Sequence, residues 1–125
     1  MKARLLLVED NEVNAYLAKF LLEQAGYAVE VAISGEQALR AARERRPDLV
    51  LMDIRLPVMD GYEATRQLRA DPQLADVPVV ALSAHALPPE KAQALACGCI
   101  AHIDKPIDVE HFVDQVGSLL PMSLR

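Results

Sequence analysis

The sequence contains no tryptophan and few other aromatic residues. Aromatic residues make up 4% of its 125 residues, whereas hydrophobic residues make up 52%. Leucine, valine, isoleucine and alanine must therefore build the core. A chain of this length is long enough to bury one compact core. We expect a single domain over residues 1–125 and no second domain.

Long apolar runs and an excess of positive charge are also missing. No segment approaches the ~20 apolar residues needed to cross a bilayer, and the apolar run near the N-terminus is too short for a secretion signal. The formal net charge is -5, whereas phosphate backbones attract basic surfaces. We therefore expect a cytoplasmic protein with no membrane association and no direct nucleic-acid partner.

Cysteine is scarce. Cys97 and Cys99 stand two apart in "ACGCI" and do not form a Cys-x-x-Cys pair. Thiols in a cytosolic chain are most often small buried hydrophobic side chains. We expect that structural role for both cysteines.

Five short apolar runs alternate with segments of helical character. The runs lie at residues 4–8, 28–32, 49–52, 77–82 and 99–103. Each has the length of a β-strand. The first, third and fourth are apolar throughout, as in strands buried on both faces. Glu30 interrupts the second run and His102 the fifth, so these two runs predict edge strands.

Start and stop signals mark five helices between the runs. Ser34 and Asp60 are followed three residues later by Gln37 and Glu63, which is the spacing of a capping box. Proline favours a first helical turn, and glycine favours the residue after a helix. The remaining boundary residues are Gly26, Pro47, Pro88, Pro89, Gly98, Asp108 and Pro121. Apolar faces outline the first helix (Val13, Tyr16, Leu17, Phe20, Leu21) and the fifth (Val109, Phe112, Val113, Val116, Leu120).

Regular alternation of strands and helices predicts a mostly parallel sheet with helices on both faces. The two expected edge strands fit the strand order 2-1-3-4-5. The sequence therefore predicts an α/β, flavodoxin-like, doubly wound five-stranded fold.

Polar residues follow the predicted strands. In "LVLMDIRLPVMDG", residues 49–61, an apolar run ends on Asp53. Glu9 and Asp10 follow the first strand, Ser83 the fourth and Lys105 the fifth. Because parallel strands end at one edge of the sheet, we expect these side chains to meet in one pocket.

The chemistry of that pocket points to phosphoryl transfer. Three carboxylates repel one another unless a cation neutralises them, and an incomplete set of oxygen ligands favours Mg²⁺. With a lysine and a hydroxyl beside it, Asp53 is suited to act as a nucleophile that becomes an aspartyl phosphate. Taken singly, Asp10 or Asn11 is explained as well by a helix cap, and Lys105 by a surface charge.

The motifs "LLLVEDNEVN", "LVLMDIRLPVMDG", "VVALSAHA" and "GCIAHIDKPI" together resemble those of response-regulator receiver domains of two-component signalling. The resemblance runs nearly from end to end. It implies that Asp53 accepts a phosphoryl group from a phosphohistidine of a histidine kinase or of a histidine phosphotransfer protein. We expect a monomer or, through helices four and five, a phosphorylation-dependent dimer.

The same resemblance assigns roles around Asp53. Asp10 and Asp53 would bind Mg²⁺ directly, Glu9 would act through water, and the backbone carbonyl of Arg55 would complete the protein ligands. Ser83 and Lys105 would hold the phosphoryl oxygens. The Lys105–Pro106 peptide would be cis.

Switching in such domains draws the strand-four hydroxyl, here Ser83, inward, and a ring on the fifth strand follows it. The surface of helix four, strand five and helix five then changes for a downstream protein. The ring position is usually Tyr or Phe, and here it is His102. We hypothesise that this imidazole rotates and makes signalling sensitive to pH; the alternative is an exposed edge-strand histidine without that role.

Further positions line the predicted pocket mouth. By resemblance, Arg55 and His85 tune hydrolysis of the aspartyl phosphate, and their size predicts slower self-dephosphorylation than in a double variant with Arg55→Ala and His85→Ala. Ala84 is small, which is consistent with access for the donor.

Two other functions compete with this interpretation. A phosphatase of the haloacid-dehalogenase type also uses Mg²⁺ and an aspartate nucleophile, but it usually carries a second acid two residues later, where this chain has Arg55. A receiver-like scaffold that is never phosphorylated would not need all five pocket residues.

Overall fold

The computed structural model describes residues 2–84 and 88–125, which form a five-stranded parallel sheet in the order β2-β1-β3-β4-β5. The strands are β1 (Arg4–Val8), β2 (Ala28–Ala32), β3 (Leu49–Asp53), β4 (Val79–Ala84) and β5 (Ala101–Lys105). The helices are α1 (Glu12–Gln24), α2 (Gly35–Glu44), α3 (Gly61–Ala70), α4 (Pro88–Cys97) and α5 (Phe112–Ser118), followed by a short 3₁₀ helix (Met122–Leu124). The predicted fold class and strand order are confirmed.

The helices cover the two faces of the sheet because successive strand residues point to opposite sides. Residues such as Val50 and Met52 of β3 pack in a core with Leu68 of α3 and Ala94 of α4. The strand residues between them point to the other face of the sheet, where Leu22 of α1 and Phe112 of α5 pack. All five residues of β3 are buried, as its unbroken apolar run predicts.

The last two strands begin two residues later than the sequence predicts. Pro78 has no N–H to donate to a strand ladder, and the N–H of Val77 donates within a turn to the carbonyl of Leu74 at 3.0 Å. Likewise the N–H of Cys99 donates to the carbonyl of Ala94 at 3.0 Å and closes the end of α4. Both cysteines are buried, as predicted.

The predicted capping residues begin their helices. The Ser34 Oγ accepts from the N–H of Gln37 at 3.1 Å, and the Asp60 carboxylate accepts from the N–H of Glu63 at 2.9 Å. These side chains satisfy N–H groups that have no partner inside the helix. The caps therefore place α2 and α3 directly after the loops that follow β2 and β3.

Helix α1 buries a different face from the one its apolar residues outline. Its buried residues are Ala15, Ala18 and Leu22. The exposed residues, which we call the α1 apolar face, are Val13, Tyr16, Leu17 and Phe20. Val13 and Tyr16 are 76% and 73% exposed, and the Tyr16 and Phe20 rings stack with centroids 6.3 Å apart. The larger residues point outward because the small alanines pack against the sheet.

Helix α5 begins later than predicted. Asp108 opens a turn in which its carbonyl accepts from the N–H groups of His111 and Phe112, at 3.1 and 2.8 Å. Val109 lies in this turn and is exposed, so its assignment to the apolar face is wrong. Phe112 and Val116 of that face are buried.

Among the described residues, no helix combines the length and the apolar character that a membrane span requires.

Candidate functional site

Three carboxylates meet at the carboxyl edge of the sheet. Glu9 and Asp10 directly follow β1, and Asp53 ends the neighbouring strand β3. One carboxylate oxygen from each of the three lies within 4.8 Å of the others. Glu9 and Asp53 are buried, whereas Asp10 is exposed. The parallel pairing of adjacent strands thus brings residues 43 to 44 positions apart into one cluster.

Lys105 joins this cluster from the edge strand β5. Its Nζ lies 2.6 Å from Glu9 Oε1 and 3.3 Å from Asp53 Oδ2. Three carboxylates against one ammonium leave two negative charges if all four groups are ionised. This excess is suited to a divalent cation, and oxygen donors suit Mg²⁺.

The crowding of charges changes the proton affinity of two groups. Burial, followed by the hydrogen bond with Asp53, raises the pKa of Glu9, and the hydrogen bond from Lys105 only partly opposes this. Burial disfavours the charged form of Lys105, but the hydrogen bond to Glu9 and the negative charges of Asp53 and Glu9 outweigh it and raise the Lys105 pKa. Both shifts favour a protonated pocket when no metal ion neutralises it.

Asn11 caps α1 and also contacts the acidic cluster. Its side chain accepts from the N–H of Asn14 at 3.0 Å and caps the helix. Its own N–H donates to Glu9 Oε2 at 3.2 Å and fixes that carboxylate. Asp10 is therefore not the residue that caps α1, which leaves its carboxylate in the acidic cluster. The sequence offered both residues as caps and did not indicate that Asn11 also orients Glu9.

The loop after β3 holds Asp53 through the backbone. The N–H of Arg55 donates to Asp53 Oδ1 at 3.0 Å, and the N–H of Gly61 donates to the carbonyl of Ile54 at 2.9 Å. Gly61 lies so close that a Cβ there would come 2.3 Å from the carbonyl oxygen of Asp53. This close approach gives Gly61 a role that sequence analysis missed.

The remaining predicted residues lie on β4, on β5 and just beyond them. Ser83 is buried, and its Oγ donates to the carbonyl of Ala84 at 3.2 Å. The Lys105–Pro106 peptide is cis. A cleft of about 340 Å³ opens beside Lys105 and is lined by Asn14, Leu17, Ala84, Lys105, Pro106 and Ile107. His85, predicted at the pocket mouth, lies outside the described residues.

His102 lies in β5 beside Ala81 of β4 and is partly buried. Its side chain is 14% exposed, and Nδ1 lies 3.5 Å from Asp104 Oδ1. Its Nε2 is buried and has no hydrogen-bond partner among the described residues. The side chain is therefore not fully exposed, and its role in switching stays a prediction. The nearby carboxylate of Asp104 was not part of the sequence prediction.

The chain resembles known proteins over nearly its whole length. Residues 5–117 match the family model described as response regulator receiver domain. The polar-differentiation response regulator DivK of Brucella anthropi is 42% identical over 120 residues, which cover 96% of this chain and 98% of DivK.

Solved structures agree with this match. The chemotaxis response regulator CheY4 of Vibrio cholerae has a TM-score of 0.91 at 29% identity, covering 96% of this chain and 100% of that one. The receiver domain of the sensor histidine kinase PA1611 of Pseudomonas aeruginosa has a TM-score of 0.85 at 38% identity, covering 94% and 97%. That structure holds a magnesium ion in its active-site cleft.

Proposed function

Because this chain belongs to the family of response regulator receiver domains, we propose that it receives a phosphoryl group on Asp53. The observation that carries the proposal is the setting of this carboxylate. It is buried at the end of the central strand β3, with an ammonium 3.3 Å away and two carboxylates beside it. A carboxylate held between a cation and a set of metal ligands is suited to attack phosphorus.

Magnesium is the metal that the donor set fits. Asp10 and Asp53 would bind it directly, Glu9 would act through water, and the Arg55 carbonyl would complete the protein ligands. When bound, Mg²⁺ would offset the negative charge on the oxygens of the transferring group. The two surplus negative charges of the cluster and its oxygen-only donors support this assignment.

The donor in this proposal is a phosphohistidine of a histidine kinase or of a histidine phosphotransfer protein. A carboxylate oxygen of Asp53 bonds to phosphorus as the phosphorus–nitrogen bond breaks, and the electron pair of that bond stays on the imidazole nitrogen. Lys105 and the hydroxyl of Ser83 then hold the phosphoryl oxygens. Both groups already lie at the same edge of the sheet, and Lys105 already contacts Asp53.

The donor protein would dock against α1. Leu17 belongs both to the α1 apolar face and to the lining of the cleft beside Lys105. A partner that covers this face is therefore in position to bring a phosphohistidine to the pocket. Exposed apolar side chains grouped on one helix are typical of protein interaction sites.

The output in this proposal is a change on the surface of α4, β5 and α5 that a downstream protein reads. Ser83 on β4 and His102 on β5 would carry the change from the pocket to that surface. The two strands pair directly, with Ser83 beside Asp104 and Ala81 beside His102. The protein would act as a monomer or as a phosphorylation-dependent dimer.

Phosphorylation by a small donor tests the proposal. The chain is incubated with Mg²⁺ and acetyl phosphate, and its intact mass is measured. We expect a gain of one phosphoryl group that is lost in Asp53→Asn. The variant Asp76→Asn is the matched control, because Asp76 is exposed in the loop between α3 and β4 and should leave the gain unchanged.

Other outcomes would contradict the proposal. A mass gain that persists in Asp53→Asn would place the phosphoryl group elsewhere. Continued release of inorganic phosphate over many turnovers would indicate a phosphatase. A chain that shows neither label nor release would be a receiver-like scaffold.

A further inference from the structure

We propose that His102 and Asp104 form a proton-operated device in β5, in which the imidazole keeps its buried position only while it is neutral. Protonation would turn the ring outward, onto the surface shared by α4 and β5. The device exists without phosphorylation. Only its effect on a downstream partner rests on the proposed function.

The device faces α4. Ile103 packs in the core formed with α1 and α5, and side chains alternate along a strand. His102 and Asp104 therefore share the opposite face of the sheet, on the side where Ala94 and Cys97 of α4 pack. Because β5 is an edge strand, its side chains have room to reorient toward solvent.

The two ring nitrogens of His102 have different surroundings. Nδ1 lies 3.5 Å from Asp104 Oδ1, and a carboxylate at that distance favours the tautomer with its proton on Nδ1. Nε2 is then the unprotonated atom, and it is buried without a hydrogen-bond partner in residues 2–84 and 88–125. A buried acceptor without a partner carries a moderate cost, but a protonated ring would place a charged N–H donor there with no acceptor, which costs more. Protonation therefore favours any rotamer in which Nε2 reaches water.

Among the charged groups near His102, Asp104 has the strongest influence on the protonation of the ring. Asp104 is the carboxylate found within 4 Å of it among the described residues. Glu90 and Lys91 lie in the first half of α4, and Cys97 and Cys99 lie at its end. Burial raises the pKa of Cys99 to about 12, so that thiol stays neutral near physiological pH.

Lys105 and His85 also bear on this assignment. Lys105, next along β5, is engaged by Glu9 and Asp53. His85 lies outside the described residues, and its titration has to be distinguished by experiment.

The strand register gives the device a route to the pocket. Asp104 pairs with Ser83, and His102 pairs with Ala81. A ring that leaves its buried position frees space beside β4 and changes the contact that Asp104 makes next to Ser83. Acidification should therefore alter the environment of Ser83 and the partner-facing surface of β5 together.

Nuclear magnetic resonance of the unphosphorylated chain tests the device. Nitrogen shifts of the His102 ring are followed from pH 8 to pH 5, together with the backbone amide signals of Ala81, Ser83 and Asp104. We expect the proton on Nδ1 at high pH. On acidification the three amides should shift with the same midpoint as the ring.

Three variants test whether the amide shifts come from His102 and Asp104. Asp104→Asn should abolish the preference for a proton on Nδ1 and reduce the linked amide shifts at least twofold. His102→Gln should abolish those shifts, whereas His111→Gln should leave them unchanged because His111 lies at the start of α5. Shifts that survive in His102→Gln would assign the effect to another group, such as His85, and overturn the proposal.

A second result would also overturn it. If the ring titrates while the three amides stay fixed, or if it does not titrate between pH 8 and pH 5, His102 is not such a device. The titration uses the unphosphorylated chain and needs no phosphoryl donor, whereas phosphorylation is measured by the mass gain with acetyl phosphate. Failure of phosphorylation at Asp53 and failure of this device are therefore observed separately.

Discussion

The ammonium of Lys105 lies closer to Glu9 than to Asp53, with Nζ 2.6 Å from Glu9 Oε1 and 3.3 Å from Asp53 Oδ2. The lysine is thus held mainly by the acid that is not the proposed phosphoacceptor. The contact with Asp53 is long for a charged hydrogen bond. In the proposed function, this weaker contact leaves Lys105 able to bind phosphoryl oxygens on Asp53.

Removing this ammonium should destabilise the protein. In Lys105→Met the buried carboxylates lose their cation, and we expect the free energy of unfolding to fall by about 2 kcal/mol. A fully enclosed unpaired charge costs somewhat more, but this pocket is partly open to water. Urea unfolding without metal measures the change. Added Mg²⁺ should recover part of the loss, and an unchanged midpoint would argue against the pairing.

Magnesium affinity should depend on pH. The pKa of Glu9 is raised by burial and by its contact with Asp53, so protons compete with the metal at a higher pH than for an ordinary glutamate. We expect affinity to fall as pH drops through this raised pKa, measured by magnesium titrations at pH 8, 6 and 5. Glu9→Gln should bind more weakly but with a shallower pH dependence, and an equally steep dependence would point to another acid.

The raised pKa of Glu9 also predicts how stability depends on pH when no metal is bound. A carboxyl group with a raised pKa binds its proton more tightly in the folded state than in the unfolded state. Its contribution to stability therefore grows as pH falls through the folded pKa towards the unfolded value. Mg²⁺ should oppose this trend, because it binds the ionised form of the cluster. Thermal unfolding with and without Mg²⁺ measures both trends.

Gly61 should not tolerate a methyl group. A Cβ would lie 2.3 Å from the carbonyl oxygen of Asp53 and 2.8 Å from Cα of Ile54, both backbone atoms. We expect Gly61→Ala to cost about 3 kcal/mol, because overpacking here requires the backbone to move. Gly117→Ala is the control, since its Cβ would meet only the Tyr27 hydroxyl oxygen at 3.3 Å. Similar unfolding midpoints for the two variants would contradict this prediction.

The α1 apolar face should matter for the donor protein but not for folding. Tyr16→Ala removes an exposed ring, so we expect a change in stability below about 0.5 kcal/mol. Phosphotransfer from a histidine donor protein should slow about tenfold, which corresponds to roughly 1.4 kcal/mol of lost contact energy. Labelling by acetyl phosphate should be unaffected.

A buried residue of the same helix provides the contrast. Leu22→Ala should cost about 3 kcal/mol of stability, because Leu22 is fully buried. If Tyr16→Ala slows labelling by acetyl phosphate as much as transfer from the donor protein, the residue acts on the pocket and not on docking.

Local signals in the sequence predicted most of the fold. The Ser34 and Asp60 caps and the apolar run that ends on Asp53 depend on neighbouring residues, and the structure reproduces them. Strand ends fixed by more distant bonds were less predictable. The start of β5, for example, depends on the N–H of Cys99 closing the end of α4.

The largest error concerned the apolar face of α1. Hydrophobic periodicity selects large side chains, whereas the face packed on the sheet uses alanines, whose small size gives a weak signal. The pocket was predictable because parallel strands end together. The preference of Lys105 for Glu9 and the pairing of His102 with Asp104 depend on side-chain rotamers, which no sequence pattern encodes.

Helix α1 packs on the sheet with one set of residues and presents a different set to the surface. Residues 15, 18 and 22 anchor it to the sheet, and its outer side chains contribute little to that anchorage. Substitutions at the outer positions Val13, Tyr16 and Phe20 should therefore leave the fold intact. If α1 is the docking site of the proposed donor, changes at these positions would alter which donor the protein accepts.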